Sequence, residues 1–261
     1  MGRSGVKGLN LHQDPSEPSA AAEPPIFNIP RIVVWCLAIL VGVHVLRVFL
    51  LTPGADTWVV LTFAFIPARY GGPYAAAGWP GGFLADVWTF VTYGFLHGDI
   101  THLTLNCIWL AAFGSAVARR VGAERFLILV VVATIAGALA HLAARWGDMV
   151  PVIGASGGIS GLMGAAIRFA FGRSRIGAPG YGAEALNRRP ALPLRDLLRL
   201  RNVIVFLAVW FSANIMLGLG LAAGPGMQGG GVAWEAHIGG FLAGFIVFPW
   251  IDRRSGRPAE T

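Results

Sequence analysis

Residues 154–164 read GASGGISGLMG, and they place a serine, Ser156, among glycines at the beginning of an apolar helix. A hydroxyl has little structural reason to lie there, because polar groups within a membrane are costly unless they pair or face water. Two further polar sets lie in apolar segments, His102 with Asn106 and, later in the chain, His237. The rest of the sequence is typical of a protein that assembles these side chains inside a lipid bilayer.

The composition indicates a polytopic membrane protein. Of the 261 residues, 55% are hydrophobic and only 13% are charged, whereas a soluble domain usually carries about 25% charged residues. The net charge of +7 could indicate a nucleic-acid partner, but the basic residues concentrate in short segments between apolar runs, as in membrane proteins. Both cysteines lie in apolar helices, which favours buried side chains over a disulfide framework or a metal set. We therefore expect no nucleic-acid partner, no metal and no cofactor.

Six apolar segments predict an all-α bundle of six transmembrane helices over residues 31–252. Residues 1–30 are rich in Pro, Ser, Ala and Glu and predict a disordered tail, and residues 253–261 form a second tail. Residues 52–96 are too apolar for a solvated linker, and we expect a compact outer loop with short interfacial helices. The six predicted helices cover residues 32–51, 101–117, 125–143, 156–171, 202–221 and 234–251.

The basic residues predict an orientation. Cytoplasmic loops carry an excess of Lys and Arg, and most of the 20 basic residues fall on one side of a six-span arrangement. Both termini are then predicted to be cytoplasmic, and the Ala-, Gly- and Arg-rich composition indicates a bacterial inner membrane. Arg47, near the outer end of the first helix, is expected to reach the lipid headgroups.

Four polar residues from three predicted helices should lie at one depth. Counted from the inner end of each helix at about 1.5 Å per residue, they lie roughly 18–25 Å up, in the outer half of the bilayer. The four are Ser156, His102, Asn106 and His237. A serine becomes a good nucleophile when a base removes its proton, and histidine is the usual base. His237 is therefore the candidate partner of Ser156.

Glycines on two helices would let these groups approach one another. Gly157 on the fourth helix, with Gly240 and Gly244 on the sixth, would permit close backbone packing. The alternative is that the glycines only pack helices and the polar residues only join them. The pentapeptide beginning at Gly154 also fits the nucleophile elbow of soluble α/β-hydrolases, but the chain lacks the alternating strands and helices of that fold.

Three motifs, taken together, resemble the signatures of the bacterial rhomboid intramembrane serine proteases. They are Gly154-Ala155-Ser156-Gly157, His97-x4-His102-x3-Asn106 and Ala236-His237-x2-Gly240-x3-Gly244. The resemblance implies a six-helix core in which Ser156 is the nucleophile and His237 the general base, a dyad without an acidic third member. It also implies that His102 and Asn106 stabilise the oxyanion together with the backbone N–H of Ser156.

The same resemblance implies the surroundings of the site and its substrates. His97 and the glycines of the motifs would support the catalytic groups, and the substrates would be membrane-spanning segments of other proteins. Thr89 stands where the family's outer loop often has arginine, so an arginine anchor for that loop would be missing. Ser160 stands where many members place an aromatic residue beneath the histidine ring, so the sequence does not show what holds His237. His141 is predicted at a similar depth, and a structural role is favoured for it.

Two other functions are compatible with polar residues inside a membrane. A rhomboid-like protein that binds membrane clients without cutting them would be favoured by a missing serine or histidine, and both are present. A transporter often uses carboxylates within spans or paired repeats, whereas Glu235 lies only at the outer edge of the sixth helix. Metal binding is a further alternative, but no histidine pair has a recognised metal-site spacing. The histidines concerned are His97, His102, His141 and His237.

Overall fold

The computed structural model describes residues 29–171, 191–220 and 232–252. Within these ranges the chain folds as a helical bundle without any strand. Five helices are long and apolar enough to cross a membrane, which confirms the all-α polytopic fold. Their ranges are Arg31–Leu50, Ile100–Val121, Ala123–Ala144, Arg201–Gly218 and Trp234–Ile251. Nearly all of the two predicted tails lies outside the described residues.

The helices are numbered here in chain order. They are α1 Arg31–Val45, α2 Pro53–Phe63, α3 Gly82–Thr92, α4 Ile100–Trp109, α5 Ser115–Val121, α6 Ala123–Ala144, α7 Ser156–Ala170, α8 Leu194–Leu197, α9 Arg201–Gly218 and α10 Trp234–Ile251. A π-helical turn, Leu46–Leu50, extends α1, and a second, Leu110–Gly114, joins α4 to α5 in one continuous span. Short 3₁₀ turns at Pro67–Arg69 and Tyr93–Phe95 lie in the outer loop.

The helix α7 is the centre of the bundle. Twelve of its 15 residues are buried, and it packs mainly against α6 and α10. At 1.5 Å per residue it is about 22 Å long, which is less than the roughly 30 Å of a hydrocarbon core. The sequence predicts α7 as one of six spans. Because α7 is shorter than a full span, the count of six stays a prediction.

Glycines bring α7 and α10 together backbone to backbone. A Cβ atom added at Gly240 would meet the carbonyl oxygen of Gly157, and one added at Gly244 would meet the carbonyl oxygen of Gly161. Helices approach this closely only where small residues face each other. The contact brings His237, one turn before Gly240, beside the start of α7.

The outer loop, residues 52–96, is anchored by a buried arginine. The side chain of Arg69 is fully buried, and its Nη1 lies 3.2 Å from Oδ1 of Asp86. Its Nη2 donates to the carbonyl oxygens of Leu61 at 2.6 Å and Pro80 at 2.9 Å. The expectation that this loop lacks an arginine anchor is therefore wrong. The anchor comes from another position in the sequence, Arg69. Thr89 is buried, and its hydroxyl lies at hydrogen-bond distance, 2.9 Å, from the hydroxyl of Tyr70.

Arg47 is a second buried anchor. Its Nε donates to Oδ1 of Asp56 at 2.7 Å, and its Nη1 donates to the carbonyl oxygen of His97 at 3.1 Å. The expectation that Arg47 reaches the headgroups is wrong, because a carboxylate and a carbonyl of the protein take the place of water. These bonds join the end of the first span to α2 and to the residues that precede α4.

The opposite end of the bundle is closed by a buried ion pair. Nη2 of Arg120 lies 2.6 Å from Oδ2 of Asp252, and neither side chain is more than 1% exposed. The guanidinium also lies over the ring of Phe169, 4.5 Å from its centroid. The pair therefore joins the ends of α5, α7 and α10.

Candidate active site

Ser156 is the first residue of α7, and its hydroxyl meets the imidazole of His237 on α10. The Oγ atom lies 2.6 Å from Nε2 of His237, although the two residues are 81 positions apart in the sequence. At this distance a hydroxyl donates a hydrogen bond to an unprotonated ring nitrogen. The geometry is that of a nucleophile beside its base.

The outer loop fixes the irregular segment that precedes the serine. Phe65 and Val152 exchange two backbone hydrogen bonds of 3.1 and 2.8 Å. The N–H of Gly154 donates to the carbonyl oxygen of Tyr93 at 2.9 Å. Irregular backbone at membrane depth is tolerated when protein groups satisfy it. The loop supplies those groups here, so it sets where α7 begins.

His97 supports the same segment. Its Nε2 lies 3.5 Å from the backbone nitrogen of Ala155, from which it accepts a hydrogen bond. Its ring meets that of His102 edge-on, with centroids 5.0 Å apart. Burial, together with the neighbouring His102, lowers the pKa of His97 to about 4. The ring is therefore neutral near pH 7 and can accept this bond.

Gly154 leaves space for His102 beside the serine. Its φ angle of +119° is one that residues with a side chain rarely adopt, and an added Cβ atom would lie 2.6 Å from Nε2 of His102. The same Cβ position is 3.7 Å from Oγ of Ser156. The carboxylate of Asp99 caps α4 by accepting from the backbone N–H of His102 at 2.8 Å. The structure thus brings His102 close to Ser156.

Asn106 lies one turn after His102 on α4 and is buried. Its Nδ2 donates to the carbonyl oxygen of His102 at 2.8 Å. A side-chain amide nitrogen carries two hydrogens, so this bond leaves one hydrogen for another acceptor.

The sequence analysis missed Asn214, which is the nearest polar partner of the histidine on its other side. Oδ1 of Asn214 lies 2.6 Å from Nδ1 of His237. Its Nδ2 donates to the carbonyl oxygen of Trp210 at 2.7 Å. The signal was present in the sequence, because an amide in the middle of an apolar span is costly and needs a partner.

His141 belongs to a separate polar cluster at the outer end of the bundle. Its Nδ1 lies 3.5 Å from Oε2 of Glu235, and Glu235 accepts from Nε of Arg145 at 2.8 Å. Nε2 of His141 lies 3.3 Å from the carbonyl oxygen of Val150. Among the residues that the structure describes, no three His, Cys, Asp or Glu side chains are placed to hold a metal ion.

Comparison with known proteins gives a family and a set of relatives. The family model for the rhomboid domain matches residues 84–254. Rhomboid protease GlpG of Yersinia pestis (strain Pestoides F) is 24% identical over 175 residues, which are 67% of this chain and 52% of that protein. Rhomboid protease GlpG of Yersinia enterocolitica serotype O:8 / biotype 1B is similar to the same extent. The chain thus spans about half the length of the curated relatives it matches.

Proposed function

This multi-pass membrane protein belongs to the rhomboid family, and on that premise we propose that it is an intramembrane serine endopeptidase. Its substrates would be membrane-spanning segments of other proteins. The observation that carries the proposal is the 2.6 Å contact between Oγ of Ser156 and Nε2 of His237. The relatives are named as rhomboid proteases, which supports the same activity.

The proposed reaction begins with acyl transfer. Nε2 of His237 takes the hydroxyl proton as Oγ of Ser156 attacks the carbonyl carbon of a peptide bond. The resulting imidazolium then gives that proton to the leaving amine nitrogen as the carbon–nitrogen bond breaks. A water molecule, deprotonated by the same imidazole, hydrolyses the acyl-enzyme and regenerates the serine.

The start of α7 suits the negative charge that develops on the carbonyl oxygen. The first N–H groups of a helix have no intrahelical acceptor, and the helix dipole is positive there. The backbone N–H of Ser156 belongs to this set. His102, beside Gly154, and Asn106, with one amide hydrogen left, would be the side-chain donors. Losing one such donor typically lowers kcat by about 10²–10³-fold.

The substrate must present an extended peptide bond to this site. A transmembrane helix protects its own carbonyls, so we propose that substrates are cut where weak helix formers let the segment unwind. The distribution of basic residues supports an arrangement with both termini in the cytoplasm, and the Ala-, Gly- and Arg-rich composition supports a bacterial inner membrane. The catalytic level would then lie nearer the outer surface.

The test is cleavage of a fluorescent transmembrane reporter by the purified full chain in liposomes. Wild type is compared with Ser156→Ala and His237→Ala, and thermal unfolding verifies that each variant is folded. Ser115→Ala is the matched control, because Ser115 is a buried serine of another helix whose hydroxyl has no hydrogen-bond partner among the described residues. We expect both site variants to lose cleavage and the control to retain it.

The opposite result has a clear meaning. If folded Ser156→Ala cuts the reporter as fast as wild type, the serine is not the nucleophile and the proposal fails. If wild type binds a range of reporters without cutting any, client binding without proteolysis becomes the better account of the same residues.

A further inference from the structure

We infer that Asn214 is a positioning residue that holds His237 with its proton on Nδ1, so that the unprotonated Nε2 faces Ser156. Its catalytic consequence rests on the proposed function. The hydrogen-bonding geometry of the ring does not, and it can be measured independently. Ser156 of α7, His237 of α10 and Asn214 of α9 then form one hydrogen-bonded chain of three side chains.

The hydrogen bonds of Asn214 determine which way its amide faces. A carbonyl oxygen can only accept, so the group 2.7 Å from the carbonyl oxygen of Trp210 must be the amide NH₂. The amide oxygen of Asn214 is then the atom 2.6 Å from Nδ1 of His237. An amide oxygen cannot donate, so Nδ1 must carry the hydrogen. In a neutral imidazole the other nitrogen, Nε2, is then a bare acceptor facing the hydroxyl of Ser156.

Asn214 is buried where α9 meets His237, whereas most of α9 is not buried. Of the 18 residues of α9, only Val203 and Asn214 are buried, and most of the other side chains of this helix are exposed. A polar residue is therefore one of the two points where α9 is enclosed by the protein. An amide at such a depth is expensive unless it is paired, and both of its polar atoms are paired here.

The choice of an amide fits the environment. An ionised carboxylate beside the ring would stabilise an imidazolium more strongly, but it would place a full charge inside the membrane. An amide selects the tautomer at much lower cost. It also supports the ring at its edge, through the 2.6 Å contact with Nδ1.

The neighbouring packing holds Asn214 in place. The ring of Trp210, whose carbonyl receives the amide hydrogen, stacks on Phe241 of α10 with centroids 4.7 Å apart. The backbone that fixes the amide is thus itself docked on the helix that carries His237.

The first measurement is the tautomer of His237, read by ¹⁵N NMR of histidine-labelled full-length protein in lipid bilayers. Its signal is assigned by its loss in His237→Gln. We expect the Nδ1–H tautomer in wild type and in Asn214→Asp, which keeps an acceptor. We expect a mixture of both tautomers in Asn214→Leu. Ser212→Ala, an exposed change on the same helix, should leave the wild-type signal unchanged.

The second measurement is reporter cleavage by wild type, Asn214→Asp, Asn214→Leu and Ser212→Ala, with folding verified by thermal unfolding. Asn214→Leu should lower kcat about 10- to 100-fold and leave KM nearly unchanged, because the substrate need not touch Asn214. Asn214→Asp should recover most of the rate and move the acidic limb of the pH–rate profile to higher pH, since a carboxylate favours the imidazolium. His102 and Glu235 also act on the ring electrostatically, and both are retained in every variant.

The two measurements separate this inference from the proposed function. The same His237 tautomer in Asn214→Leu as in wild type would overturn the inference, as would a kcat within twofold of wild type. Cleavage that survives Ser156→Ala would overturn the proposed function instead, and the NMR measurement would still decide the role of Asn214.

Discussion

The contact between α7 and α10 predicts that one methyl group at Gly240 will both destabilise the protein and slow it. In Gly240→Ala, the new Cβ would lie 2.8 Å from the carbonyl carbon of Gly157 and 3.2 Å from the carbonyl oxygen of Ala133, and closer still to the oxygen of Gly157. All of these are backbone atoms, which cannot rotate away. The helices must therefore move apart.

The size of the movement follows from the distances. Carbon atoms pack at about 3.5–4.0 Å, so a separation of roughly 1 Å is needed to accommodate the methyl group. Overpacking of this kind costs about 1–3 kcal/mol of unfolding free energy. His237 lies one turn from Gly240 on the same helix, so its 2.6 Å bond to Ser156 should lengthen with the helix. A misplacement of about 1 Å can cost about 100-fold in rate.

The assay is thermal unfolding in detergent micelles, followed by reporter cleavage in liposomes at a temperature where both proteins are folded. Gly42→Ala is the matched control, because an added Cβ there meets no atom within 4 Å. That change in the interior of α1 should be neutral or stabilising by up to about 1 kcal/mol. If Gly240→Ala were as stable and as active as Gly42→Ala, the argument from close backbone contact would be refuted.

Three further predictions concern other parts of the bundle. Asp252→Asn leaves a buried arginine with a weakened partner and should lower the unfolding free energy by about 3–5 kcal/mol. Asp196→Asn, which breaks an exposed ion pair, should lower it by less than about 1 kcal/mol. Equal losses in the two variants, measured by thermal unfolding, would contradict this. Gly154→Ala should abolish cleavage but lower the unfolding free energy less than Asp252→Asn does, because its Cβ would occupy the place of the His102 ring. An active Gly154→Ala variant would contradict this. Folding lowers the pKa of His97 to about 4, whereas in the unfolded chain its pKa is the ordinary value near 6.5. As the pH falls, the unfolded chain is therefore protonated at His97 before the folded protein is. The contribution of neutral His97 to the free energy of unfolding should be complete above about pH 6.5 and fall towards pH 4. The free energy of unfolding of His97→Gln should therefore depend less on pH over that range.

The helices could be predicted from the sequence because apolar runs of this length have few other solutions in a membrane. The last helix was predicted at 234–251, and the structure has Trp234–Ile251. The second was predicted to end at residue 117, two positions before the paired arginines, but it continues to Val121. Arg120 is buried against Asp252, and no local pattern shows that a charged residue has a partner 132 positions away.

The candidate site was predictable to the extent that its residues are polar side chains in apolar helices. Ser156 and His237 are conspicuous in apolar helices, and the structure brings them together. The partners of Arg47, Arg69 and Asn214 were not predicted, because each depends on which faces of separate elements meet. Arg69, for example, binds carbonyls from two other parts of the outer loop. Such pairings come from tertiary packing, which hydropathy and motif spacing do not contain.

The separation of 81 positions between Ser156 and His237 has a consequence for the cell that makes this protein. Ribosomes add about 5–20 residues per second, so the serine is synthesised roughly 4–16 seconds before its base. On the proposed mechanism the growing chain is chemically inert throughout that interval, while it lies among other newly inserted proteins. On the same mechanism it would gain activity only when α10 docks its glycines on α7, so completion of the fold would also be the step that activates the proposed enzyme.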